Sequence, residues 1–147
     1  MILHMDIDRV DKVFVDSNIF IGVLNKRDAL HEKALGVWET LKKEQCCLVV
    51  SNGIVSEVIT VLSQRAGKEK ALDFAYSIYF DDKHKIEMVR LDKTIELKAL
   101  RHMEMTASKN MSFIDATNIA IMELHGIKRI ASFDKEFRNH KSFEILS

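Results

Sequence analysis

Four acidic residues each interrupt an apolar stretch: Asp16 in VFVDSNIF, Glu57 in NGIVSEVITVL, Asp115 in MSFIDATNIAIM and Asp134 in RIASFDKEF. A carboxylate among apolar side chains loses hydration, and the loss is large unless a cation or hydrogen-bond donors compensate for it. Several such groups brought together repel one another and hold protons to higher pH unless positive charge sits between them. A divalent cation resolves that conflict. Hard carboxylate oxygens, with water and phosphate oxygens in the remaining positions, describe a Mg²⁺ or Mn²⁺ site for phosphoryl chemistry. Asn118 follows Asp115 by one turn and shares its helical face. Taken singly, these acids also have structural readings. Asp16 and Asp134 each precede a helical stretch that they could cap, and Glu57 could pair with a buried Lys or Arg.

Other metal or nucleotide chemistry finds little support. The six histidines are scattered without an HExxH or paired-ligand spacing. The five glycines form no phosphate-binding loop. Cys46 and Cys47 are sequence neighbours, where a disulfide is geometrically awkward, and read as small apolar residues in a reducing compartment.

The elements that must position the acids alternate. Short β-rich runs at Lys12–Asp16, Cys46–Val50, Ile86–Leu91, Arg129–Phe133 and Ser142–Leu146 are separated by stretches with helical spacing. Those helices cover Asn18–Asn25, Ala29–Glu44, the segment from Ser51 or Asn52 to Gly67, Lys68–Phe80, Thr94–Met105 capped by Asp92, and the segment from Asn110 or Ser112 to Gly126. In the fourth, Leu72, Ala75, Tyr76 and Tyr79 are expected to face inward. Unbroken apolar strands alternating with helices predict an α/β fold, a three-layer α/β/α domain around a mainly parallel sheet. Ligands of such sheets bind at the carboxyl ends of the strands, where Asp16 and Asp134 fall.

The chain of 147 residues is long enough for one well-packed domain, read here as residues 12–147 behind an extension, 1–11, whose acids Asp6, Asp8 and Asp11 are expected to be solvated. Its 22 acidic and 22 basic side chains balance, so no global positive field favours nonspecific nucleic-acid binding, although a local basic patch could still hold phosphate. Arg65, Lys68 and Lys70 in QRAGKEK form one such cluster, read mainly as a solvated face. No apolar run reaches the roughly 20 residues of a membrane span, and the first residues lack a secretory pattern. A cytoplasmic protein is expected.

VFVDSNIFIGVL resembles the first motif of PIN domains, in which an aspartate ends the first strand and is followed by short polar residues. SEVI, SFIDATNIAIM and IASFDKEF are similar to the family's second, third and fourth motifs, in its order. The likeness extends over nearly the whole chain and is to the VapC-like ribonuclease toxins of toxin–antitoxin operons. It implies a nuclease in which Asp16, Glu57, Asp115 and Asp134 bind Mg²⁺ or Mn²⁺ and an activated water attacks an RNA phosphodiester. It further implies that Asn118 supports metal or phosphate, that Ser17 and Ser132 orient their neighbouring aspartates, and that the partners are RNA, a second copy and an antitoxin protein. Three rivals remain: an RNA-processing PIN nuclease outside a toxin operon, a receiver-like domain with Asp92 as phospho-acceptor, and a nuclease fold acting only as a binding module. Ser17 and Asn18, where a receiver would carry acids, weigh against the second.

Overall fold

The computed structural model describes residues 11–81, 83, 85–140 and 142–147. Five strands form one sheet: β1 (Lys12–Val15), β2 (Cys47–Ser51), β3 (Ile86–Val89), β4 (Arg129–Ala131) and β5 (Glu144–Leu146). All neighbours pair in parallel, in the order β3-β2-β1-β4-β5. Central β1 explains its own sequence. Val13, Phe14 and Val15 are completely buried, and Phe14 lies in register with Val49 on one side and Ile130 on the other. A strand covered on both faces has no solvent side for polar residues, so it reads as an unbroken apolar run.

Six helices cover the sheet: α1 (Ser17–Leu24), α2 (His31–Glu44), α3 (Asn52–Arg65), α4 (Lys68–Tyr79), α5 (Lys93–Met105) and α6 (Phe113–His125). A short 3₁₀ helix, Lys135–Asn139, follows β4. Helix α1 packs against α2 and α3, α3 against α4, and α5 against α6. The close approach of α1 to α2 depends on Gly22, where a Cβ atom would come within 2.7 Å of the Cβ of Ala34. Gly126 ends α6 at φ 64°, a left-handed conformation that glycine adopts without a steric penalty.

The expected alternation and parallel sheet hold, while two local expectations do not. In α4 the inward face is Ala71, Phe74, Ala75 and Ile78; Leu72, Tyr76 and Tyr79 are exposed. That helix is apolar on more than one side, so periodicity alone does not set its phase. Asp11 is also more than a solvated acid. Its carboxylate accepts a hydrogen bond from the Arg129 guanidinium, which further bonds Glu44 at 2.9 Å. Asp6 and Asp8 lie outside the described residues, as does most of the 1–11 extension. Cys46 is buried and Cys47 half-buried, both as free thiols. Among the described residues, no helix is long and apolar enough to cross a membrane.

The strand order has one reversal. From β1 the chain steps to β2 and β3 on one side, then returns to place β4 and β5 on the other. The switch point therefore lies between β1 and β4, where crevices open at the carboxyl edge of such sheets.

Candidate active site

Asp16 and Asp134 follow the two strands that flank this switch point, and Asp115 joins them from the first turn of α6. One carboxylate oxygen of each lies within 4.8 Å of the others. Each aspartate is held by the start of a helix. Asp16 is the N-cap of α1, with Oδ1 accepting the Ser17 backbone N–H at 2.8 Å. Asp134 is the N-cap of the 3₁₀ helix, with Oδ1 accepting the Glu136 N–H at 3.0 Å. Asp115 and Ser112 form a reciprocal capping box: Asp115 N–H donates to Ser112 Oγ at 3.0 Å, and Ser112 N–H donates to Asp115 Oδ2 at 3.1 Å. The capping reading of Asp16 and Asp134 thus holds, and capping still leaves one oxygen of each near one of Asp115. Orphan N–H groups and the positive ends of helices favour carboxylates at these positions.

Ser132 joins the two strand-end acids. Its hydroxyl donates to Asp16 Oδ2 at 2.6 Å and accepts the Asp134 backbone N–H at 3.0 Å. Asn18 braces the same corner, accepting the Phe133 N–H at 3.2 Å and lying within 3.4 Å of both Asp16 Oδ2 and Ser132 Oγ through Nδ2. The backbone is pinned as well, because Asp16 N–H donates to Ala131 O at 3.0 Å.

The electrostatics oppose charge on the buried acids. Burial pushes the Asp16 carboxyl up to about 7, against the hydrogen bonds from Ser132 and Ser17, and the charges of Asp115 and Glu57 add to the rise. Burial likewise pushes Asp115 up to about 6, with Ser112 opposing and Asp134 and Glu57 adding. None of the three aspartates forms an ion pair with Lys or Arg among the described residues.

Glu57 differs from the other three. It is solvent-exposed on α3 and outside the 4.8 Å group, which corrects the expectation of apolar surroundings, although its charge reaches Asp16 and Asp115. Asn118 is completely buried one turn beyond Asp115, and neither its Oδ1 nor its Nδ2 has a hydrogen-bond partner among the described residues. Leaving such an amide unpaired in a dry interior is costly, which marks this position next to Asp115 on α6. The three aspartates, unpaired with Lys or Arg among the described residues, make an all-oxygen, acid-rich donor set of the kind that fits Mg²⁺ or Mn²⁺. The Ser112–Asp115 box was legible as S-x-x-D before an apolar run, whereas the single-hydroxyl bridge from Ser132 was not, since it joins residues 116 apart in sequence.

Asp92 takes a different place. It caps α5, accepting the Ile95 N–H at 2.9 Å, and follows β3, the edge strand farthest from β4 and β5.

Comparison with known proteins agrees with this architecture. Residues 13–142 match the family model described as PIN domain. The 23S rRNA-specific endonuclease VapC20 of Mycobacterium tuberculosis is 29% identical over 125 residues, covering 85% of this chain and 91% of the relative. Ribonuclease VapC1 of Aquifex aeolicus is 27% identical over 138 residues, covering 93% and 90%. The crystal structure of M. tuberculosis VapC20, a sarcin-ricin loop cleaving toxin, superposes with TM-score 0.76 at 24% identity over 88% of this chain and 95% of that one. A toxin–antitoxin complex from Klebsiella pneumoniae superposes with TM-score 0.61 at 14% identity, over 92% and 96%. With a model matching almost its whole described length, this chain belongs to the PIN domain family.

Proposed function

We propose that this chain is a metal-dependent endoribonuclease, the toxin of a toxin–antitoxin pair, acting in the cytoplasm. The carrying observation is the group of Asp16, Asp115 and Asp134 at the topological switch point, which no Lys or Arg pairs with among the described residues. These three aspartates would hold Mg²⁺ or Mn²⁺, with Glu57 at the rim. A bound ion supplies a water of lowered pKa and neutralises charge developing on the phosphoryl oxygens. The chain's own residues do the positioning. Ser132 fixes the spacing of Asp16 and Asp134, Ser17 and Ser112 aim their neighbouring carboxylates, and the Asn118 amide offers hydrogen bonds to a water or phosphate oxygen. Hydrolysis then breaks one P–O bond of the RNA backbone as a water oxygen bonds to phosphorus, and the departing alkoxide takes up a proton.

RNA as the substrate class is supported by the ribonuclease names of both relatives, and an antitoxin partner by the toxin–antitoxin complex that shares the fold. A homodimer is supported by exposed Leu97, Leu100 and Met103 at three-residue spacing on α5, beside exposed Leu124 on the packed α6. The receiver-like reading loses ground to the placement of Asp92 at the sheet's far edge. Incubation of the purified chain with RNA tests the proposal: cleavage is expected with Mn²⁺ or Mg²⁺ and none in excess chelator. Cleavage unaffected by chelator would remove the metal from the mechanism.

A further inference from the structure

Alongside the edge strand β5, a concave groove of about 730 Å³ lies between that strand and α2 and reaches Phe133 and Lys135 after β4. Its side-chain charges are Lys33 from α2, Lys135 and Arg138 from the 3₁₀ helix, and Glu144. The three cations are solvent-exposed and form no ion pair among the described residues, while the Glu144 carboxylate lies 3.5 Å from Arg129 Nε. In a chain with zero formal charge, three uncommitted cations on one concave surface are a local excess. Lys135 and Arg138 are three residues apart in a 3₁₀ helix, a spacing that stacks side chains on one face. Half-buried Phe133 also lines the groove.

The groove borders the aspartate group through the backbone around Asp134. Phe133 and Lys135 are the residues on either side of Asp134, and Ser132 N–H donates to Leu146 O at 3.1 Å, placing the groove's β5 wall beside the hydroxyl that spaces the acids. Resting on the nuclease reading, we propose that this groove is the track for the RNA strand next to the scissile phosphate. Lys33, Lys135 and Arg138 hold backbone phosphates there, and Phe133 offers an apolar surface to a base. The division of labour is physical. The aspartates repel a polyanion, so affinity has to come from cations beside them, and single strands are held by positive grooves with aromatic platforms.

The test uses the full-length chain and a fluorescent single-stranded RNA, with binding read in chelator so that no strand is cut, and cleavage kinetics read separately in Mn²⁺. The Lys135→Gln/Arg138→Gln variant is expected to bind at least about 10-fold more weakly at low salt. Its slope of log affinity against log salt should be shallower by about 1.4, since each phosphate no longer neutralised removes about 0.7. KM should rise more than kcat falls, because these cations hold the strand equally in the ground and transition states. Adding Lys33→Gln extends the effect, whereas Lys98→Gln, whose ammonium pairs with Glu123 at 3.1 Å on the α5–α6 side, changes none of these readings. Unchanged slope and KM in the double variant, with metal-dependent cleavage by wild type intact, would overturn the groove assignment and leave the nuclease reading standing. Loss of the slope effect together with weaker binding of an acidic peptide would reassign the groove to a protein partner. A wild type that binds RNA through the groove yet never cuts it would sink the nuclease reading instead.

Discussion

Acids gather at both edges of the sheet, and among the described residues only those at one edge are paired with a cation. At the amino edge, Asp11 before β1, Glu44 at the end of α2 and Glu144 at the start of β5 surround Arg129, the first residue of β4. Hydrogen bonding to Glu44 leads the causes that raise the guanidinium's pKa further. At the carboxyl edge, one oxygen each of Asp16, Asp115 and Asp134 lie within 4.8 Å of one another, and hydrogen-bond donors rather than a cation hold them. The first arrangement is complete within the chain and tightens the fold. The second is held in place by capping bonds and one serine, at a standing electrostatic cost that a bound cation would relieve. Acid clustering alone therefore does not mark a functional site, and the absence of a paired counter-charge among the described residues is what separates the second cluster from the first.

The largest expected effect comes from removing a carboxylate at the uncompensated edge. Asp16→Asn keeps shape and most cap bonds but should lower metal-dependent RNA cleavage by about 100-fold or more, beyond the usual loss for altering a ligand's support. Turnover of correctly folded protein, measured at saturating Mn²⁺, checks this. Near-normal turnover would show that the two edges do not differ in role.

Arg129→Met makes the opposite cut. It leaves three acids facing one another, so stability should drop by about 1–2 kcal/mol, a figure reduced because the partner carboxylates are substantially exposed. Chemical denaturation reads the loss, and cleavage per folded molecule should stay the same. An unaltered midpoint would mean that the amino-edge cluster contributes nothing to the fold.

A smaller effect distinguishes the edges by pH. The Asp16 carboxyl, near 3.8 when unfolded, is pushed to about 7 when folded, so between these values the folded chain holds more protons than the unfolded one. Metal-free stability should therefore fall as pH rises from about 4 to about 7 and lose this slope above it. Melting curves in chelator should show the decline, Asp16→Asn should flatten it, and saturating Mn²⁺ should oppose it, since the ion requires the ionised form. A wild-type profile identical to that of the Asp16→Asn chain would remove the electrostatic account of the site.

The smallest effect belongs to Asp92→Asn, because Asn caps a helix about as well as Asp. Melting temperature and cleavage should both match wild type. Abolished activity would move the centre from the β1–β4 switch point to the sheet's edge.

Much of this was readable in the linear sequence because its cause is local. Apolar runs of strand length, helical periodicity and capping residues report on neighbours a few positions away, and they placed all five strands and six helices. Position within each element then picked out Asp16, Asp115 and Asp134, since an acid that ends a buried strand or opens a buried helix is conspicuous against its apolar neighbours. The phase of α4 was not readable, because a helix with apolar residues on more than one side is oriented by what it packs against. Nor was the exposure of Glu57, whose neighbours in sequence are apolar while its own side of α3 faces solvent.

Tertiary structure decided what depends on distance between remote residues. The order β3-β2-β1-β4-β5 brings Asp16 beside Asp134, and one Ser132 hydroxyl sets their relation across more than a hundred residues. The same packing gives Arg129 its three acids, leaves Asn118 without a partner among the described residues, and places Lys33 of α2 in one groove with Lys135 and Arg138. Residue type and local pattern thus determined which groups could do chemistry, while chain topology alone determined which charges meet, because Coulomb and hydrogen-bond energies depend on separation in space and not on separation in sequence.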